Sequence, residues 1–184
     1  MEQFEKSLQN IHLKYPDKPV FVSEFGLRAD QVKSEQQRID NLKGVIEILR
    51  RNPYVCGISY WSFNDYLSRF TNTNPDGYRE WGVVDANRKP RGLYTSFQRD
   101  LSPVMVSYDQ GNLIVSARAD FPSYTLKNFK LVLKSGNKII REYSLPVLNP
   151  GESTFIKMAK PSASTTIVVE NAGGFKVFGS EAKR

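Results

Sequence analysis

An α/β segment followed by an all-β segment is the fold class this sequence predicts. Three observations carry it. Up to about residue 101, apolar residues repeat at helical spacing between short β-branched runs; at Ser102 and Pro103 the period changes to strict alternation; and beyond them turn signals separate about seven short strands. The 184 residues thus divide into two small domains, 1–101 and 102–184.

Phe4, Leu8, Ile11 and Tyr15 share one helical face, and Pro16 closes that helix. Pro19 to Ser23 (PVFVS) is a short apolar run of the kind found in parallel strands covered on both faces. From Ser34 to Arg51 the apolar stripe Ile39, Leu42, Val45, Ile46 and Leu49 predicts a second helix, ended by Asn52 and Pro53. Tyr54 to Ser62 (YVCGISYWS) reads as a second buried strand, with Cys56 as a small hydrophobe inside it. A loop rich in Asn, Gly, Pro and Tyr runs from Asn64 to about Tyr78. Trp81 to Asp85 is briefly apolar, NRKP is a turn, and Leu93 to Leu101 forms a last helix.

Past Pro103, Val104, Val106 and Tyr108, then Leu113, Val115 and Ala117, then Phe129, Leu131 and Leu133 alternate with smaller or polar residues, and DQGN and KSGNK mark tight turns. The runs at Ile139–Tyr143, Phe155–Met158, Ile167–Val169 and Phe175–Phe178 continue the pattern, which predicts an antiparallel sandwich of immunoglobulin-like type. Phe121, Tyr124, Phe129, Tyr143, Phe155 and Phe175 fall mostly at expected core positions.

Composition excludes several classes. With 40% hydrophobic, 12% aromatic and 24% charged residues, the chain is neither collagen-like, coiled-coil nor disordered. The excess of 26 Lys and Arg over 19 Asp and Glu gives +7, but the charge is scattered in short pairs such as Arg50–Arg51, so no nucleic-acid partner is expected. No apolar run approaches the ~18 to 20 residues of a membrane helix, and the charged N-terminus has no signal-peptide core, so no membrane partner is expected and the compartment is not readable. A lone Cys56 and a lone His12 make no metal cluster, and no cofactor is implied.

Two parallel strands leave open edges, and a complete eight-stranded barrel takes ~250 residues. The first segment is therefore expected to be part of a larger assembly, completed by the remainder of an enzyme or by self-association.

Two stretches carry chemistry. In KPVFVSEFG the strand ends at Glu24, and in GISYWSFNDY it ends at Trp61, followed by Asn64, Asp65 and Tyr66. A carboxylate at the C-terminal end of a barrel strand is where catalytic groups sit, and an aromatic plane beside hydrogen-bonding side chains suits a sugar ring. These stretches, with EWGVVDANRKPRGLYTSFQRDLSP, resemble the end of the catalytic barrel of glycoside hydrolase family 2, the β-galactosidases, β-glucuronidases and β-mannosidases. The likeness covers about 90 residues, with KPVFVSEFG as seventh strand and GISYWSFNDY as eighth.

The resemblance implies a partial (β/α)8 TIM barrel, a retaining exo-acting β-glycosidase chemistry and a carbohydrate partner. Glu24 matches the nucleophile and Trp61 the floor of the sugar subsite, while Asn64 and Asp65 become candidates for sugar hydroxyls. It also implies a cis peptide between Trp61 and Ser62. The family's general acid lies in an Asn-Glu pair, which occurs nowhere here, so the isolated chain is expected to be inactive; Glu80 is the one other carboxylate considered as a proton donor. The Asn-x-Lys motif that recognises a uronic acid in β-glucuronidases has no match from Asn64 to Asp85, which disfavours a glucuronidase. The alternative is a non-catalytic carbohydrate-binding or assembly module built on the sandwich.

Overall fold

A computed structural model describes residues 1–71 and 73–180. Backbone contacts divide the chain into two compact units, Met1–Asp100 and Leu101–Arg184. Among the described residues no helix is long and apolar enough to cross a membrane.

The first unit runs α1 (Glu2–Lys14), β1 (Val20–Phe25), α2 (Glu35–Arg51), β2 (Val55–Tyr60), a two-stranded hairpin of β3 (Tyr66–Leu67) and β4 (Tyr78–Arg79), and α3 (Gly92–Asp100). β1 and β2 pair in parallel, and α2 packs on α3. Ser34 caps α2 by accepting the Gln37 N–H, the local arrangement its side chain favours. The stripe of α2 is buried as expected at Leu42, Val45, Ile46 and Leu49, and Ile48 joins it. In α1 only Leu8 is buried, and Ile11 and Tyr15 stand exposed.

The strands differ from expectation in one respect. Val20, Val22 and Val55 are buried, but Phe21 between them is 57% exposed and Cys56 is exposed as well. Only one face of this pair is covered within the chain, since two strands cannot curve far enough to enclose their other face. Cys56 is additionally the extra residue of β2 between the pairs Val20↔Val55 and Phe21↔Gly57, so it is not the buried hydrophobe its apolar neighbours suggested.

The second unit is all strand. A three-stranded sheet orders β5 (Val104–Asp109), β6 (Asn112–Ala117) and β9 (Ser153–Lys157). A four-stranded sheet orders β11 (Lys176–Gly179), β10 (Thr165–Glu170), β7 (Lys130–Ser135) and β8 (Lys138–Ser144). Leu113, Val115 and Ala117 from the first share one core with Leu131, Leu133 and Val169 from the second. The β5–β6 hairpin turns on Gln110 and Gly111, both at positive φ (44° and 81°), the backbone a two-residue turn needs to match strand twist. Phe129 is buried as expected, whereas Tyr124, Phe155 and Phe175 are exposed. Phe155 lies on the β9 face turned from the core, in register with Ile114, and Phe175 precedes β11, so alternation placed them outside.

Across β7, β8 and β10, Lys130 bonds Glu142 (3.4 Å) and Glu170 (3.3 Å), and Lys134 bonds Glu170 (3.3 Å). Burial pushes the Glu170 carboxyl up, and the two lysines together outweigh it and hold the group below its usual range. A lowered folded-state value contributes stability that is present above the unfolded pKa and lost as pH falls through the folded one. Acid titration of the second unit is therefore expected to weaken it below about pH 4.5, and Glu170→Gln to flatten that limb; an unchanged acid limb in the variant, followed by circular dichroism, contradicts this.

Candidate active site

The site is built at the C-terminal ends of β1 and β2. Between the pairs Val22↔Ile58 and Phe25↔Tyr60, β1 carries Ser23 and Glu24 against the single Ser59. Such a bulge re-aims side chains at a strand end. Glu24 is exposed there and makes no hydrogen bond or ion pair among the described residues. Immediately after β2 the Trp61 N–H donates to the Phe25 carbonyl at 2.9 Å, one residue from Glu24. A Cβ on Gly26 would stand 2.5 Å from the Trp61 carbonyl, so the chain leaves β1 in direct contact with the tryptophan backbone. Glu24 and Trp61 thus sit on adjacent parallel strand ends at one rim.

Trp61 is 43% exposed, and its indole N–H donates to the Tyr66 hydroxyl at 3.1 Å, the two rings meeting edge to face. The Trp61–Ser62 peptide is cis, as the resemblance implies. Behind this rim an aromatic row of Phe25, Tyr60 and Phe97, with centroids 5.2 and 4.9 Å apart, ties β1 and β2 to α3.

The other two candidates have different surroundings. Asn64 is half-buried and its side-chain amide donates to the Asp65 carbonyl at 2.6 Å. Asp65 is 5% exposed; its carboxylate accepts the Gly82 N–H at 2.8 Å and a two-pronged pair from Arg91 at 3.2 and 2.7 Å. Both oxygens are engaged in holding the 61–66 loop to the segment around Gly82, which is a loop-fixing task. Glu80 bonds Asn74 at 3.4 Å and lies 3.7 Å from Arg91. Arg28 is 2% exposed and pairs with Asp30.

Sequence reasoning missed Arg38. It is fully buried and donates to the carbonyls of Leu27, Trp81 and Gly82, to Glu35 and to the Tyr60 hydroxyl. The available signal was its position one turn before Leu42 on the α2 stripe, where a charge needs partners. A pocket of about 290 Å³ lies beside Tyr60, Ser62, Phe63, Val83, Tyr94 and Phe97; it takes in neither Glu24 nor Trp61. Among the described residues no group of three or more His, Cys, Asp and Glu could hold a metal ion.

Residues 1–81 match the family described as glycosyl hydrolase catalytic core. The resemblance read from the residues and this match agree on a glycoside hydrolase. No curated protein matches the chain. Among solved structures, a Bacteroides uniformis β-glucuronidase aligns with 97% of this chain and 24% of its own, at 17% identity and a TM-score of 0.47. An FMN-binding β-glucuronidase from Facaelibacterium prausnitzii L2-6 aligns with 91% of this chain and 27% of its own, at 14% identity and a TM-score of 0.46. The chain spans about a quarter of the length of each.

Proposed function

We propose, from the match of residues 1–81 to a glycosyl hydrolase catalytic core, that this chain supplies the nucleophile end of a retaining, exo-acting β-glycosidase. Residues 1–101 are then the last two strand–helix units of a TIM barrel and residues 102–184 an immunoglobulin-like sandwich, consistent with the sheet orders β5-β6-β9 and β11-β10-β7-β8. The open edges of β1 and β2 take further strands, from the rest of an enzyme or from a second copy.

The observation that carries this is the pairing of rims: a bulged Glu24 and the exposed Trp61 end parallel neighbours. The Glu24 carboxylate attacks the anomeric carbon as the bond to the leaving oxygen breaks, and water later cleaves the glycosyl ester with net retention. A second carboxyl group, ~5 to 5.5 Å away in such enzymes, protonates the leaving oxygen and then deprotonates the water. Trp61 offers its ring to the apolar face of the sugar. The substrate is a terminal β-linked sugar, and the lack of an Asn-x-Lys match from Asn64 to Asp85 points away from a uronic acid. Asp65 acts on the loop and not on the sugar.

Without the second carboxyl group the chain forgoes roughly 10² to 10⁴ of rate. The purified chain is expected to give no measurable turnover of an aryl β-glycoside, yet to bind one weakly, with binding lost in Trp61→Ala and kept in Glu24→Gln. Turnover abolished by Glu24→Gln would overturn the inactivity. Binding that survives Trp61→Ala and disappears in Phe155→Ala would favour the sandwich as the working module instead.

A further inference from the structure

Arg38 stands at the centre of hydrogen bonds to the chain segments that adjoin both candidate residues. Its side chain is wholly covered, and a buried guanidinium is tolerated only when its donors are saturated. Nε donates to the Leu27 carbonyl at 3.0 Å, Nη1 to Glu35 at 3.1 Å, and Nη2 faces the Tyr60 hydroxyl at 3.1 Å and the Trp81 and Gly82 carbonyls at 2.9 Å each. Leu27 lies three residues past Glu24 on the chain leaving β1, and Tyr60 immediately precedes Trp61. The Trp81 carbonyl also accepts the Ser62 N–H at 3.3 Å, and the Val83 N–H donates to the Ser62 carbonyl at 3.1 Å. One planar cation thus grips the chain after Glu24, the residue before Trp61 and the segment that holds the residue after Trp61.

We propose that Arg38 is a positioning residue that sets how the Trp61 indole stands to the Glu24 strand end. This rests on the function proposed above for what that geometry serves, but the geometry itself is measurable without a sugar. The donors point along several directions of a rigid fork, which a lysine ammonium on a flexible stem does not reproduce. Lysine keeps the charge and can satisfy Glu35, and it releases some of the carbonyls that fix the two strand ends.

The test uses the full chain with ¹⁵N-labelled indoles. Only Trp61 and Trp81 report, and the Trp61 cross-peak is identified by its loss in Trp61→Phe. In Arg38→Lys the Trp61 Nε1–H cross-peak is expected to shift by more than its linewidth or to split. Ile46→Val, a core change on the same helix at a site 1% exposed, is expected to leave it in place. Should Arg38→Lys not fold, Tyr60→Phe decides: it keeps the ring and removes one acceptor, and is expected to move the same peak. A Trp61 peak that stays put in the folded Arg38 or Tyr60 variant, or that moves equally in Ile46→Val, overturns the assignment. Adding an aryl β-glycoside to the wild-type chain addresses the function separately: no perturbation of the Trp61 peak counts against the sugar site and leaves the Arg38 result standing.

Discussion

Alanine at Gly82 is expected to cost the first unit about 3 kcal/mol, lowering its melting temperature by roughly 12 to 24 °C. A Cβ built there stands 2.1 Å from the Val84 carbonyl oxygen, 2.4 Å from the Asp65 nitrogen and 2.6 Å from the Asn64 carbonyl carbon. All three are backbone atoms, so no rotamer change relieves the overlap and the strand-end loop itself must move. The same shift breaks the Gly82 N–H bond to Asp65 and the Arg38 bond to the Gly82 carbonyl. Both tryptophans lie in this unit, so urea unfolding followed by their fluorescence reads it selectively. Gly44→Ala makes the contrast. It lies inside α2, and its added methyl meets only the flexible Met1 side chain, at 3.2 Å. Removing a helical glycine there is expected to gain about 0.5 to 1 kcal/mol. Equal midpoints for the Gly82→Ala and Gly44→Ala chains would show that the close approach at Gly82 does not exist.

Asp65→Ala is expected to cost about 3 kcal/mol by the same measurement, since breaking a buried pair strands its other member. The substitution leaves the Gly82 N–H and the Arg91 guanidinium without their acceptor, and Arg91 falls back on Glu80, 3.7 Å away. Asp65→Asn retains an oxygen for Gly82 and gives up the charge, so about 1.5 kcal/mol is expected. A double-mutant cycle with Arg91→Ala separates the pair from the backbone bond: the coupling is the part of the loss that Arg91→Ala already removes. A loss below about 0.5 kcal/mol in Asp65→Ala, the range of ordinary surface changes, would contradict the loop-fixing role and return Asp65 to the list of sugar contacts.

Much of the fold was legible because burial leaves a period in the chain. The α2 stripe and the alternation beyond Pro103 each report one covered face, and the apolar runs at PVFVS and YVCGISY marked two strands while overstating their burial at Phe21 and Cys56. The β5–β6 turn was legible for a different reason, since Gly111 permits a positive φ that most residues resist. Glu24 and Trp61 were legible as candidates because each follows a strand that ends abruptly in polar and aromatic residues.

The remainder depended on contacts between residues far apart in sequence, which leave no local period. Whether Cys56 and Phe21 are covered depends on what lies over the open face of β1 and β2, and the bulges at Cys56 and Glu24 exist only in the register between strands. Asp65 resembled any polar loop residue until Arg91, 26 positions on, was found beside it. Arg38 looked like a charge misplaced on an apolar stripe until three carbonyls from two separated segments converged on it. By itself the sequence determined which stretches form helices and strands and where the chain must turn, because those requirements are met by each residue and its near neighbours. Only the tertiary structure decided which polar groups meet, because hydrogen bonds between distant segments depend on where the fold brings them and not on what precedes or follows them in the chain.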